Sequence, residues 1–339
     1  MQDAGTGKEW FRRSIVVDTT APLAPIGSIQ LRCGPDAVSR TYEDAGVTLA
    51  VFTLVDDYPN SIEQTIKLIA QNYQYFEARR DRCLIVNRAD DVQTAKSTGK
   101  LAVAFAFQGT NALMGELGLV GVYRRLGVIQ MLLAYNAANF AADGCHEARN
   151  AGLSEFGRRL VVEMNRVGMI VDLTHVGLNS SLEALDLTAK PPVFSHSTPK
   201  KFAPHDRNIT DNQIKLCAQK QGLIGLTGIG LFMDGDGGRA TVSRFVDTIE
   251  YVIQLVGVAH AGVGLDYVIE PDTMMGYLHT NSALYGGGVQ YPTGPIEFLS
   301  PARLIEVCEE LARRRYSEAD VQGVLGQNYL RVMRANLDC

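Results

Sequence analysis

Eight short runs of apolar residues recur along the chain, each followed by a stretch of mixed polar and apolar character. They span residues 14–19, 46–55, 101–109, 128–136, 169–176, 192–197, 223–230 and 260–267. None alternates apolar with polar positions. Each therefore reads as a strand covered on both faces, which is the environment of a parallel sheet. The intervening stretches carry helical spacing, clearest at 154–166 and 242–256. Ser154, Asp211 and Ser317 precede three of them as helix N-caps, because a short oxygen-bearing side chain there accepts from a first-turn N–H. Strands alternating with helices predict an α/β chain folded as a single (β/α)8 TIM-type barrel. Residues 1–339 read as one domain, with two or three closing helices between 301 and 336. Gly-rich loops fall at 234–238 and 285–289.

Composition narrows the function classes. Hydrophobic residues make up 46 % of 339, enough for a large core and too many for a disordered chain. Thirty-two Lys+Arg against 37 Asp+Glu leave a formal charge of −5, which argues against a nucleic-acid surface. No apolar run approaches the roughly 18 residues that span a bilayer. The N-terminal MQDAGTGKEWFRRS has no apolar export core, so a cytoplasmic location is the expectation. Six scattered cysteines without a CxxC pair fit a reducing compartment. Cys145 stands beside His146, but nothing local orients the pair, and it reads as a loop thiol. The expected partner is a small-molecule or peptidic substrate, with neither nucleic acid nor membrane.

Barrel enzymes carry their chemistry at the C-terminal ends of the strands. Those ends hold Asp18, Thr19 and Thr20, then Gln108, then Tyr135 and Asn136. Further on come Asp172, His175, Ser195, His196, Ser197, Thr227, Asp266 and Tyr267. His175 and His196, on adjacent strands, fit a shared metal ion or a hydrogen-bonded pair near the core. Asp266 fits an acid/base carboxylate or a satisfied structural one. Arg207, in the loop HDRNITD, fits a bidentate clamp on a substrate carboxylate or a cap on the following helix.

Around these residues the sequence resembles the membrane dipeptidases, peptidase family M19, within the amidohydrolase-like barrels. The likeness is carried by GLSEFGRRLVVEMNRVGMIVDLTHVG (152–177), PVFSHSTPKKFAPHDRNITDNQI (192–214), HAGVGLDY (260–267) and RRYSEADVQGVLGQNYLRV (314–332). It implies a (β/α)8 barrel with two zinc ions and hydrolysis that releases two free amino acids. The implied ligands are a His and an Asp after strand one, a bridging Glu after strand three, and one His each after strands five and six. A strand-eight Asp moves protons, and an Arg after strand six and a His after strand four hold substrate. Family members often dimerise, so a homodimer belongs to the same expectation.

The carry-over is partial. His175, His196, Asp266 and Arg207 match. Thr20 and Pro22 stand at the first His and Asp positions, Gln108 at the bridging Glu, and Tyr135 at the substrate His. Two zinc ions bring four positive charges, and neither ligand carboxylate remains to offset them. Proline offers no side-chain donor, and an amide cannot bridge two cations as a carboxylate does. A binuclear site, and more broadly any cofactor, is therefore not expected. The alternative is one zinc on His175 and His196.

The first functional reading is a repurposed enzyme doing metal-independent acid/base chemistry on a small amino-acid-derived or peptidic substrate. Elimination, isomerisation or cyclisation in small-molecule biosynthesis would fit. His175, His196 and Asp266 would move protons, while Arg207, Tyr135, Gln108 and Thr20 would hold the substrate. The alternatives are a zinc-dependent dipeptidase working with one metal and a non-catalytic binding protein.

Overall fold

The structure, a computed structural model, describes residues 4–23, 33–57, 61–235, 238–280 and 296–338. The glycine-rich stretch at 285–289 and part of that at 234–238 lie outside the described residues.

The strands are β1 Val17–Pro22, β2 Leu49–Asp56, β3 Cys83–Ile85, β4 Leu101–Gln108, β5 Val128–Leu132, β6 Ile170–Asp172, β7 Val193–Ser197, β8 Leu223–Leu226 and β9 Ala261–Val263. All pair in parallel, in the order β1-β2-β4-β5-β6-β7-β8-β9, with β3 attached to the edge of β4. The eight strands of that order fall within, or within a residue or so of, the ends of the eight apolar runs except at β1, which reaches Pro22. Alternate residues of a single strand join different clusters. Leu49 and Val51 pack in one cluster with Ala102, Ala104, Ile129 and Leu223. Ala50 and Phe52 pack in the other with Phe105 and Phe76. Burial on both faces is what makes these strands read as unbroken apolar runs.

The ring is nearly closed between β9 and β1. The Thr19 hydroxyl lies 2.9 Å from the Val263 carbonyl and 2.5 Å from that of Ser195, its single proton serving one at a time. Just beyond, Leu265 N donates to Asp18 Oδ1 (2.8 Å) and Asp266 N to the Thr20 carbonyl (3.2 Å). At Gly225 and Gly264 a Cβ would come 2.1 and 1.8 Å from the Ser195 carbonyl oxygen. The strands therefore approach as closely as two glycines allow.

The helices follow their expected chemistry with one correction. Ser154 accepts from Gly157 N, and Ser317 forms a capping box with Asp320. Asp211 is not an N-cap. Thr210 holds that place, in a capping box with Gln213, and Asp211 is the first helical residue, accepting from the Tyr251 hydroxyl. The chain turns from extended to helical at Thr210, one residue before the acidic side chain. Helices Leu304–Arg313, Glu318–Gln322 and Asn328–Leu337 close the barrel, the last two joined by a π turn. Tyr329 donates its buried hydroxyl to Gln130 Oε1 (2.8 Å), tying the final helix to β5. Among the described residues no helix is long and apolar enough to cross a membrane.

Candidate functional site

Thr20 lies in β1, His196 in β7 and Gln108 at the end of β4. Tyr135, His175 and Asp266 each follow their strand by three residues, and Arg207 lies in the loop after β7. The two imidazoles meet directly, with His175 Nε2 3.0 Å from His196 Nε2. The Thr20 and Ser195 hydroxyls stand 3.0 and 2.8 Å from His196 Nδ1. Asp266 Oδ2 is 4.0 Å from His196 Nε2. Tyr135 stacks on His175, and Arg207 Nη2 donates to the His196 carbonyl (3.3 Å). Gln108, at the end of β4, donates from Nε2 to Thr53 Oγ1 (3.1 Å) across β2 and β4.

Asn136, named only as a strand-end residue, belongs to this cluster. Its Oδ1 is 2.6 Å from His175 Nδ1 and 3.5 Å from Cys145 Sγ. Asn136, His175 and Asp266 all have left-handed backbone, at φ +59°, +65° and +53°. Each such residue costs on the order of 1–3 kcal/mol and persists only where its surroundings enforce it. Here His146 N donates to the Asn136 carbonyl (2.8 Å) and Cys145 N to the His175 carbonyl (2.7 Å). The loop can lie this close because Gly144 has no Cβ, which would sit 2.2 Å from the Asn136 backbone.

Burial and one arginine set the electrostatics. Desolvation, followed by the Arg207 charge, holds His175 and His196 well below the usual imidazole range, so both are neutral near pH 7. Burial pushes Asp266 up to about 6 against the pull of Arg207. Asp18 rises to about 8, chiefly by burial, although Leu265 and Thr20 N–H groups oppose the shift. Asp172, raised to about 6 by burial, is a structural carboxylate: it accepts from Thr174 N, Ser195 N and Gln130 Nε2. Burial also pushes the Cys145 thiol to about 12, which keeps it protonated and poorly nucleophilic.

Arg207 is 3 % exposed. Among the described residues no carboxylate lies within ion-pair distance of it, so it closes no salt bridge there. Its guanidinium lies 5.2 Å from the centre of the Phe232 ring. Arg207 and His175 border a cavity of about 400 Å³, together with Cys145, His146 and Lys200.

The donor set does not fit two zinc ions. The Thr20 hydroxyl, with one proton, lies between the Thr19 carbonyl (2.7 Å) and His196 Nδ1 (3.0 Å), and a Gln108 amide N–H is taken by Thr53. Among the described residues no three His, Cys, Asp or Glu side chains converge as a metal site. His175 and His196, with Asp266 Oδ2 4.0 Å from His196 Nε2, are the residues that would hold a single zinc.

Similar proteins place the barrel in context. The profile of the membrane dipeptidases (peptidase family M19) matches residues 39–281. Dipeptidase tcpJ of Claviceps purpurea is 30 % identical over 276 residues, covering 81 % of this chain and 60 % of that protein. Dipeptidase aclJ of Aspergillus oryzae is 29 % identical over 240 residues, covering 70 % and 52 %. The chain thus spans between half and two thirds of these curated relatives. The crystal structure of an amidohydrolase from Pseudomonas aeruginosa superposes with a TM-score of 0.88 at 28 % identity, over 98 % of this chain and 99 % of that one.

Proposed function

The chain belongs to the membrane dipeptidase family, peptidase family M19, and from that premise we propose that it is a repurposed member that catalyses metal-independent acid/base chemistry on a small amino-acid-derived or peptidic carboxylate. The observation that carries this reading is the buried Arg207, without a carboxylate partner among the described residues, beside a neutral histidine pair and Asp266. A buried cation without a counter-ion is costly, and a ligand carboxylate would repair it through bidentate hydrogen bonds.

With the substrate anchored there, Asp266 suits a general base. Its pKa of about 6 leaves it mostly ionised at neutral pH yet basic enough to take a proton. Neutral His196, its Nε2 4.0 Å from Asp266, is a second proton-handling group beside it, and His175 fixes that ring through the Nε2–Nε2 contact. Tyr135 and Thr20 shape the site around the bound molecule. Proton abstraction beside a carbonyl, leading to elimination, isomerisation or cyclisation, is the reaction class this set serves. The dipeptidase names of tcpJ and aclJ support an amino-acid-derived substrate.

A metal assay tests the reading. Zinc per chain is measured after chelator-free purification and again after zinc loading, while a dipeptide panel is assayed with and without chelator. Zinc far below stoichiometry and no chelator-sensitive dipeptide cleavage support the proposal. About one zinc per chain, with cleavage lost to chelator and restored by zinc, overturns it in favour of a one-metal dipeptidase.

A further inference from the structure

We infer that Asn136 is a positioning residue that locks the two site histidines into one tautomeric chain, running from the Thr20 and Ser195 hydroxyls through His196 and His175 to the Asn136 carbonyl oxygen. The argument starts from the two Nε2 atoms, 3.0 Å apart. With both rings neutral, one of these nitrogens must carry a proton and the other a lone pair. Geometry between the rings does not decide which.

Asn136 decides it. Its Oδ1 accepts, and it lies 2.6 Å from His175 Nδ1, so that nitrogen carries the proton. The amide orientation is fixed in turn by Cys145, whose Sγ donates toward the same oxygen at 3.5 Å. A thiol donates one proton and accepts poorly, so it selects the carbonyl side of the amide. His175 Nε2 is then a lone pair, and His196 must donate to it from Nε2. His196 Nδ1 is left as an acceptor, with the Ser195 hydroxyl 2.8 Å away as its donor, while the Thr20 hydroxyl at 3.0 Å shares its single proton with the Thr19 carbonyl. Every imidazole nitrogen then has a complementary partner.

The backbone supports the same assignment. Asn136 and His175 both occupy left-handed conformations, and the 144–146 segment pins both residues by hydrogen bonds to their carbonyls. Asparagine tolerates such a conformation far better than bulkier residues. The consequence for chemistry rests on the proposed acid/base reading. The basic nitrogen of the pair faces the hydroxyls rather than open space, so the pair accepts a proton at His196 Nδ1. The tautomeric order itself holds whatever the reaction is.

Nitrogen-15 NMR of histidine-labelled, chelator-treated protein near pH 7.5 tests this. His175 and His196 are assigned from the signals lost in His175→Gln and His196→Gln. The expected pattern is a protonated Nδ1 and bare Nε2 for His175, with the reverse for His196. Asn136→Asp keeps an acceptor and should keep the pattern, whereas Asn136→Ala should mix the tautomers. The opposite wild-type pattern, or an unchanged pattern in a folded Asn136→Ala, overturns the inference. If Asn136→Ala fails to fold, the wild-type and Asn136→Asp spectra decide. A metal-dependent activity would overturn the proposed function without altering these spectra of chelator-treated protein.

Discussion

The ring of Tyr135 lies against the imidazole of His175, with centroids 4.0 Å apart and planes 25° from parallel. The family resemblance expects a histidine here to hold substrate. A tyrosine instead lays an aromatic face over the neighbouring ring and keeps water from it. Tyr135→Ala should therefore raise the His175 pKa toward the ordinary value and cost about 0.5–1.5 kcal/mol of stability from the lost stack. Tyr135→Phe should do neither. An NMR titration of His175 in the three proteins checks this, and an Ala variant that titrates like wild type would sink the idea.

Removing Arg207 should move stability and binding in opposite directions. Arg207→Met fills similar volume with no charge, and the wild-type cation has no carboxylate partner among the described residues. Replacing buried charge by an apolar side chain is often neutral or stabilising by about 1–4 kcal/mol. The variant should therefore resist urea as well as wild type or better, while losing affinity for amino-acid-derived carboxylates. Arg207→Lys should recover little, because an ammonium lacks the bidentate fork. If Arg207→Met unfolds far more easily, the arginine is structural and the carboxylate clamp is wrong.

Asp266→Asn isolates the proposed base. Asparagine tolerates the left-handed backbone at φ +53°, so the fold should survive. Turnover should fall by roughly 10²–10⁴-fold, the usual contribution of a positioned base. Circular dichroism and thermal melting confirm folding alongside the rate. A folded variant with wild-type turnover would remove Asp266 from the mechanism.

The barrel was legible because its strands are buried on both faces, and unbroken runs such as 101–109 cannot be mistaken for amphipathic strands. The three-residue β3 was not, since it pairs only along the edge of β4 and carries too few residues to show a period. His175, His196 and Asp266 could be read as candidates from strand-end positions, and Arg207 from the loop that follows β7. Asn136 could not be assigned a role, because its amide reaches His175 only through a left-handed backbone that no local pattern announces. The bond from the Gln108 amide to the Thr53 hydroxyl was not legible either, because it joins two strands far apart in the chain. The cap at Thr210 differs from the expected Asp211 by one residue, since two adjacent side chains were both able to cap and only the backbone turn separates them.

Asp18 should make the protein lose stability as pH rises. Its carboxyl is wholly buried, with Oδ1 accepting from Leu265 and Thr20 N–H groups and a pKa raised from 3.8 to about 8 by burial. Between those values the folded chain holds a proton that the unfolded chain has released. Stability from this group is thus fully present below about pH 4 and lost as pH rises through about 8. The slope reaches about 1.4 kcal/mol per pH unit for one proton. Asp172 and Asp266, raised to about 6, add the same sign at lower pH. The depressed histidines act oppositely, because the unfolded chain binds protons below about 6.5 that the folded one refuses. The window from about 6.5 to 8 therefore belongs to Asp18 among these groups. Asp18→Asn keeps an acceptor oxygen for the two N–H groups and removes the ionisation. Urea midpoints of wild type should fall across that window while those of Asp18→Asn stay level, leaving the variant the more stable protein at pH 8.5. Parallel profiles would mean that Asp18 does not set the pH dependence of folding.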